Sequence, residues 1–191
     1  LIPPVLMRSG TVIMHAGFDV KTFCSLVEKH RVNCTFMVPT MIYVLLDSPV
    51  RQDHDLSSLE TLIYGAASMA PARLVEGIAE LGPIFMQLYG QSEAPMAMTV
   101  LHKHEHDPVN HPQRLSSCGT PVVGIQLDLL DEDGQPVQTG EVGEIIARRF
   151  SRRDATHGLS AAGAATALAE LNRYIRGLAQ SAHAGTASGS E

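Results

Sequence analysis

Two strand-like runs, each ending in small or flexible residues, constrain this chain more than any other feature. Leu62-Ile63-Tyr64 leads into Gly65-Ala66-Ala67-Ser68, and Ile84-Phe85-Met86-Gln87-Leu88 leads into Tyr89-Gly90-Gln91-Ser92-Glu93. Between them Pro71 suits a helix start, Leu74, Val75, Ile78 and Leu81 fall on one apolar helical face, and Gly82-Pro83 stops it. The same alternation occurs upstream. Asp19 is a helix N-cap ahead of apolar Val20, Phe23, Cys24 and Val27, Cys34 to Val38 is a buried-strand candidate, and Pro39 opens a helix to about Leu46. Repeated strand–helix units of this length imply a parallel sheet covered by helices.

That arrangement says where a ligand would sit. In open parallel sheets the binding crevice lies beyond the carboxyl ends of the strands. Both small-residue loops leave such ends, and neighbouring strands would offer them to one ligand. Gly90 permits close approach to the backbone. The Tyr89 ring can stack a base, the Ser92 hydroxyl can meet a phosphate, and the Glu93 carboxylate can hold a divalent metal, so the trio reads as a nucleotide site.

The flanks are less regular. After an opening loop, Thr11-Val12-Ile13-Met14 reads as a short strand; beyond the second helix, Ser48 to Ser58 is a polar loop. From about Pro121 the texture changes: Gly124 to Leu130 partly alternates, Asp131-Glu132-Asp133-Gly134 is a hairpin turn, and Gly143-Glu144-Ile145-Ile146-Ala147 is another strand, so part of an antiparallel β subdomain is expected. From Phe150 on, Ala, Gly and Ser dominate, with Arg148, Arg149, Arg152 and Arg153 crowding the entrance; a helix near Ala164 to Leu178 and a disordered end from Ser181 are expected. The fold class is α/β: a mostly parallel sheet with helices, then part of an antiparallel β subdomain, in an incomplete domain spanning 1–148, followed by an unrelated tail over 149–191.

Composition removes several classes. At 191 residues, with 45% hydrophobic residues and a net charge of -6, the chain can build a core and gives no reason to expect nucleic acid as a partner. Three scattered cysteines argue against a secreted disulfide framework, and neither a signal segment nor a run of about 20 apolar residues is present. A cytoplasmic location is therefore expected, with no transmembrane segment. The chain begins Leu1-Ile2-Pro3-Pro4 without a methionine, as if inside a larger coding sequence.

Other groups are better read as structure than as chemistry. His102, His104, His106 and His111 lie with Glu105 and Asp107 in a proline-bearing polar loop, where neutral surface histidines account for them better than a metal site. His15 and His30 read as a loop and a helix-end residue. Cys118 has no identifiable base and reads as a packed thiol. Met69, Met86, Met96 and Met98 read as core filler.

Tyr89-Gly90-Gln91-Ser92-Glu93 resembles the aromatic-Gly-x-Thr-Glu signature of the adenylate-forming superfamily, which includes acyl-CoA synthetases, adenylation domains of peptide synthetases and luciferases. The likeness runs from about Pro3 to Arg148 through Phe18-Asp19, Thr35 to Thr40, Leu56-Ser57-Ser58-Leu59, Gly65-Ala66-Ala67, Gly119-Thr120-Pro121 and Gly140 to Ile145. Within the superfamily it is most similar to fatty-acid or related acyl-CoA ligases. The resemblance implies that Tyr89 lies against adenine, Gly65, Ala66 and Ala67 line the pocket, Gly90 and Gln91 continue it, Ser92 replaces a threonine at the α-phosphate, and Glu93 binds Mg²⁺. It also implies ATP, Mg²⁺ and coenzyme A, and a small carboxylic acid as substrate. Met41, Ile42 and Tyr43 would begin a helix near the acyl pocket.

Departures from the pattern shape the expectation. The family's phosphate loop, its ribose-binding Thr-Gly-Asp and its C-terminal catalytic lysine have no counterpart in this sequence, and from Arg149 the pattern gives way to the tail, as a frameshift or premature truncation would produce. The expected function is thus a piece of an ATP-dependent acid–CoA ligase, inactive alone. The alternatives are an amino-acid adenylation domain and a noncatalytic interaction fragment that self-associates through exposed sheet edges.

Overall fold

The computed structural model describes residues 2–91 and 97–149. It divides into two compact units, one up to Val123 and one from Gly124 on. In the first, α1 (Ile2–Met7) and α2 (Val20–His30) precede β1 (Cys34–Met37), α3 (Pro39–Asp47), β2 (Thr61–Gly65), α4 (Pro71–Leu81), β3 (Phe85–Tyr89), β4 (Thr99–Leu101) and β5 (Thr120–Pro121). The five strands form one sheet in sequence order. Its first three strands are parallel, β4 adds antiparallel to β3, and β5 adds antiparallel to β4.

Local chemistry sets the helix ends. The Asp19 carboxylate accepts the Thr22 backbone N–H at 2.8 Å and the Thr22 hydroxyl at 2.7 Å, and these bonds hold its carboxyl below the usual range. Pro39 and Pro71 occupy first helical positions, where a missing N–H costs nothing. Arg31 ends α2 in the left-handed region at φ 52°, its N–H donating to the Val27 carbonyl.

Strand alternation puts Met37, Leu62, Tyr64 and Phe85 on one face, buried against α2, α3 and α4 through Cys24, Ile42, Leu45 and Leu74. The opposite face begins at the edge strand β1 with Phe36, 43% exposed. The second unit pairs β6 (Ile125–Leu130) with β7 (Glu144–Arg149) antiparallel. Its turn is fixed by the Asp131 carboxylate, which accepts the backbone N–H groups of Asp133 and Gln135 at 3.0 and 2.8 Å.

Two local expectations change. Thr11 to Met14 forms no strand: it pairs with no other segment, and Met14 is 79% exposed. The opening loop instead contains α1, since prolines at positions 3 and 4 fall within a first helical turn. No helix among the described residues is long and apolar enough to cross a membrane. Ser92, Glu93, the expected helix at 164–178 and the segment from Ser181 lie outside the described residues.

Candidate functional site

The carboxyl ends of β2 and β3 open on a cavity of about 400 Å³. Its lining combines Ala66, Ala67, Ser68 and Met69 from the loop after β2 with Tyr89, Gly90 and Gln91 from the end of β3, and Leu115 to Cys118 from the segment before β5. Parallel register brings the two loops together, because Gly65 pairs with Leu88. The third side is held by Leu115, which is 4% exposed, and by the Thr99 hydroxyl donating to the Cys118 carbonyl.

Five of the residues expected at a site therefore share one cavity: Ala66, Ala67, Tyr89, Gly90 and Gln91. Gly65 does not line it. It is buried, and a Cβ there would run into the Leu88 carbonyl oxygen, so its contribution is close strand packing beneath the loops. Ala66 adopts a left-handed φ of 67°, which for an alanine costs on the order of 1–2 kcal/mol and turns the loop sharply at the cavity wall. The Tyr89 hydroxyl accepts a hydrogen bond from the Gln91 amide at 2.9 Å, and the Met98 N–H donates to the Tyr89 carbonyl at 2.6 Å.

Sequence reasoning missed the polar floor. Tyr64 and Gln87 line the cavity from β2 and β3, and the Tyr64 hydroxyl lies 3.0 Å from His106 Nε2. His106 is 4% exposed, which corrects its reading as a surface histidine, whereas His102, His104 and His111 are exposed. Forty-two residues separate Tyr64 from His106, and the imidazole is buried because the short turn at Lys103–Glu105 folds it under the sheet, with its Nδ1 2.8 Å from the His102 carbonyl. Among the described residues no three His, Cys, Asp or Glu side chains group to hold a metal ion. A second cavity of about 300 Å³ lies at the amino ends of the strands, where the Arg51 guanidinium is already paired with Glu80 at 2.9 Å.

Burial pushes the His106 imidazole below its ordinary value near 6.5, against a weaker opposing pull from the His102 carbonyl and the Glu105 carboxylate. The neutral form is thus the folded form. Below about pH 6.5 the unfolded chain takes up a proton that the fold resists, so stability present above that pH falls as pH drops toward the lowered folded value, by at most about 1.4 kcal/mol per pH unit. Urea midpoints at pH 7.5 and 5.5 should therefore fall further for the wild type than for His106→Gln. Equal drops would remove His106 from the account. The exposed carboxylates of Asp19, Glu28, Asp55 and Asp107 are also held low, so their contributions fade only at more acidic pH.

The chain is similar to known proteins in both sequence and fold. Residues 2–151 match the family model of AMP-binding enzymes. Over 142 residues the chain is 49% identical to the medium/long-chain-fatty-acid–CoA ligase FadD8 of Mycobacterium tuberculosis, covering 74% of this chain and 24% of that protein. It is 38% identical over 143 residues to a feruloyl-CoA synthase of an Amycolatopsis species, covering 75% and 28%. Among solved structures, the amide bond synthetase McbA of Marinactinospora thermotolerans superposes with a TM-score of 0.68 at 28% identity, covering 77% of this chain and 30% of that one. The chain spans about a quarter of the length of the curated relatives it matches.

Proposed function

The chain belongs to the AMP-binding enzyme family, and from that premise we propose that it forms the adenylate-binding wall of an ATP-dependent acid–CoA ligase. The observation that carries this reading is the convergence of Ala66-Ala67 and Tyr89-Gly90-Gln91 on one cavity at the carboxyl ends of adjacent parallel strands. Small side chains at 66 and 67 leave the backbone open to a flat base, and the Tyr89 ring supplies a stacking surface.

In this reading Ser92 donates to the α-phosphate and Glu93 holds Mg²⁺ together with phosphate oxygens, a hard cation taking one or two protein carboxylates. When bound, Mg²⁺ would neutralise charge on the phosphates. The overall reaction would join a carboxylic acid to AMP with loss of pyrophosphate, and then to coenzyme A. The 49% identity to FadD8 supports a fatty acid as the substrate class.

Titration calorimetry tests the wall directly. Tyr89→Ala should weaken AMP binding about tenfold or more, the usual scale of a lost base–aromatic stack. Glu93→Ala should abolish the strengthening of ATP binding by Mg²⁺. Unchanged affinities in both would overturn the reading. Spanning about a quarter of its relatives' length, the chain by itself is expected to release no acid-dependent pyrophosphate, and robust release would refute that.

One observation favours a second reading, self-association. The edge strand β1 carries the 43%-exposed Phe36, and open sheet edges of this kind recruit other strands. Light scattering showing oligomers indifferent to nucleotide would favour it; a monodisperse monomer would count against it.

A further inference from the structure

The polar floor of the cavity has a donor order that can be worked out atom by atom. The His102 carbonyl is an acceptor only, so the His106 Nδ1 that lies 2.8 Å from it must carry the proton. In a neutral imidazole the Nε2 is then an acceptor. The Tyr64 hydroxyl sits 3.0 Å from that Nε2 and 3.5 Å from Gln87 Oε1, yet it has one proton to give. The nearer partner, an imidazole nitrogen with no proton of its own, takes it.

The Tyr64 oxygen can then only accept, and two acceptors facing each other at 3.5 Å favour the Gln87 amide turned to offer its NH₂. That orientation is a half-turn of the amide about its last torsion, and such a turn exchanges oxygen for nitrogen without moving the rest of the side chain. The carbonyl oxygen, displaced from Tyr64, is then free to meet a ligand in the cavity that Gln87 lines. A doubly protonated or Nε2-protonated imidazole would reverse every step and present NH₂ to the cavity instead.

We infer that His106 is a positioning residue for this site: through the Tyr64 hydroxyl it sets the Gln87 amide so that an acceptor faces the ligand. The inference rests on the nucleotide reading above for its consequence, a preference for a base edge bearing an exocyclic amine over one bearing a carbonyl. Its premise, the hydrogen-bond order, stands apart from any ligand. Burial of Tyr64 and His106 to 1% and 4% exposure limits the competition from water for these bonds.

Two measurements on the 191-residue chain test it. Long-range ¹H–¹⁵N correlation spectra at pH 7.5 should show His106 protonated at Nδ1 only, and the Gln87 side-chain NH₂ should show an Overhauser contact to the Tyr64 ring that disappears in His106→Phe. Calorimetry should find AMP bound about tenfold more tightly than inosine monophosphate, the scale of one mispaired buried polar group. Tyr64→Phe and His106→Phe should bring that ratio toward unity, and His106→Gln, whose amide can still accept from Tyr64, should restore most of it.

A protonated Nε2, or an unchanged ratio in a folded Tyr64→Phe variant, would overturn the proposal. Should the wild type bind neither nucleotide, the nucleotide reading fails for this chain, while the imidazole and Gln87 spectra still decide the role of His106. A variant that loses affinity for both nucleotides equally would mark a structural role only and also overturn it.

Discussion

Gly65→Ala is expected to unfold the cavity and a good part of the sheet with it. Gly65 ends β2 in register with Leu88 of β3, and it is buried. Its φ is not in the left-handed region, so the requirement for glycine here is space: a Cβ would be driven into the Leu88 carbonyl oxygen, a backbone atom that cannot swing aside. The strands must splay or the Leu88 peptide must turn, and both site loops start within a residue of that point. Overpacking of a core commonly costs about 1–3 kcal/mol, and a backbone clash belongs at the upper end or beyond. Urea denaturation should show the loss and calorimetry should show AMP binding abolished even in folding conditions. Gly82→Ala is the matched control. Gly82 has φ 84° with nothing within 4 Å of a new Cβ, so it carries backbone strain alone and should leave nucleotide affinity intact. A Gly65→Ala chain within about 0.5 kcal/mol of wild type, the ordinary scatter of neutral substitutions, would show that the strands have room that the geometry denies.

The same residue shows where sequence reasoning stops. Gly65-Ala66-Ala67 is legible as a loop after a strand, and its two alanines do face the cavity, but nothing in the letters separates a glycine that lines a pocket from one that lets two strands approach. Helix starts are legible because their causes are local: Asp19 needs only Thr22 three residues on, and Pro39 and Pro71 need no partner at all. Strands have no such independence. Thr11 to Met14 has strand-like composition without a neighbour to pair with, while β4 and β5, three and two residues long, exist because β3 offers an edge to β4 and β4 in turn offers one to β5. The Tyr64–His106 contact is the extreme case. Its partners come from a central strand and a distant polar turn, and the burial that gives it chemical meaning is invisible in a run of four histidines.

Phe85 and Gly77 give a test of whether core and cavity are one cooperative body. Phe85 is fully buried at the start of β3, its ring meets Tyr64 edge-to-face at 6.3 Å, and its far edge would lie 2.7 Å from a Cβ added at Gly77 on α4. Phe85→Ala should cost about 3–5 kcal/mol, the range for emptying a large aromatic from a core. By helix propensity alone Gly77→Ala would gain about 1 kcal/mol. Against the Phe85 ring it should instead destabilise, because α4 would have to lift off the sheet. Shortening the ring relieves that clash, so Gly77→Ala combined with Phe85→Leu should be more stable than the sum of the single changes predicts, by about 0.5–3 kcal/mol of coupling. Strict additivity in urea melts would mean that α4 already stands clear of β3. The functional consequence follows from Tyr64: with the Phe85 edge gone, the tyrosine loses the packing that aims its hydroxyl at His106, and AMP affinity should fall in Phe85→Leu under conditions where the chain remains folded. An unchanged affinity would separate the cavity floor from the core beneath it and leave the aim of the Tyr64 hydroxyl to His106 and Gln87.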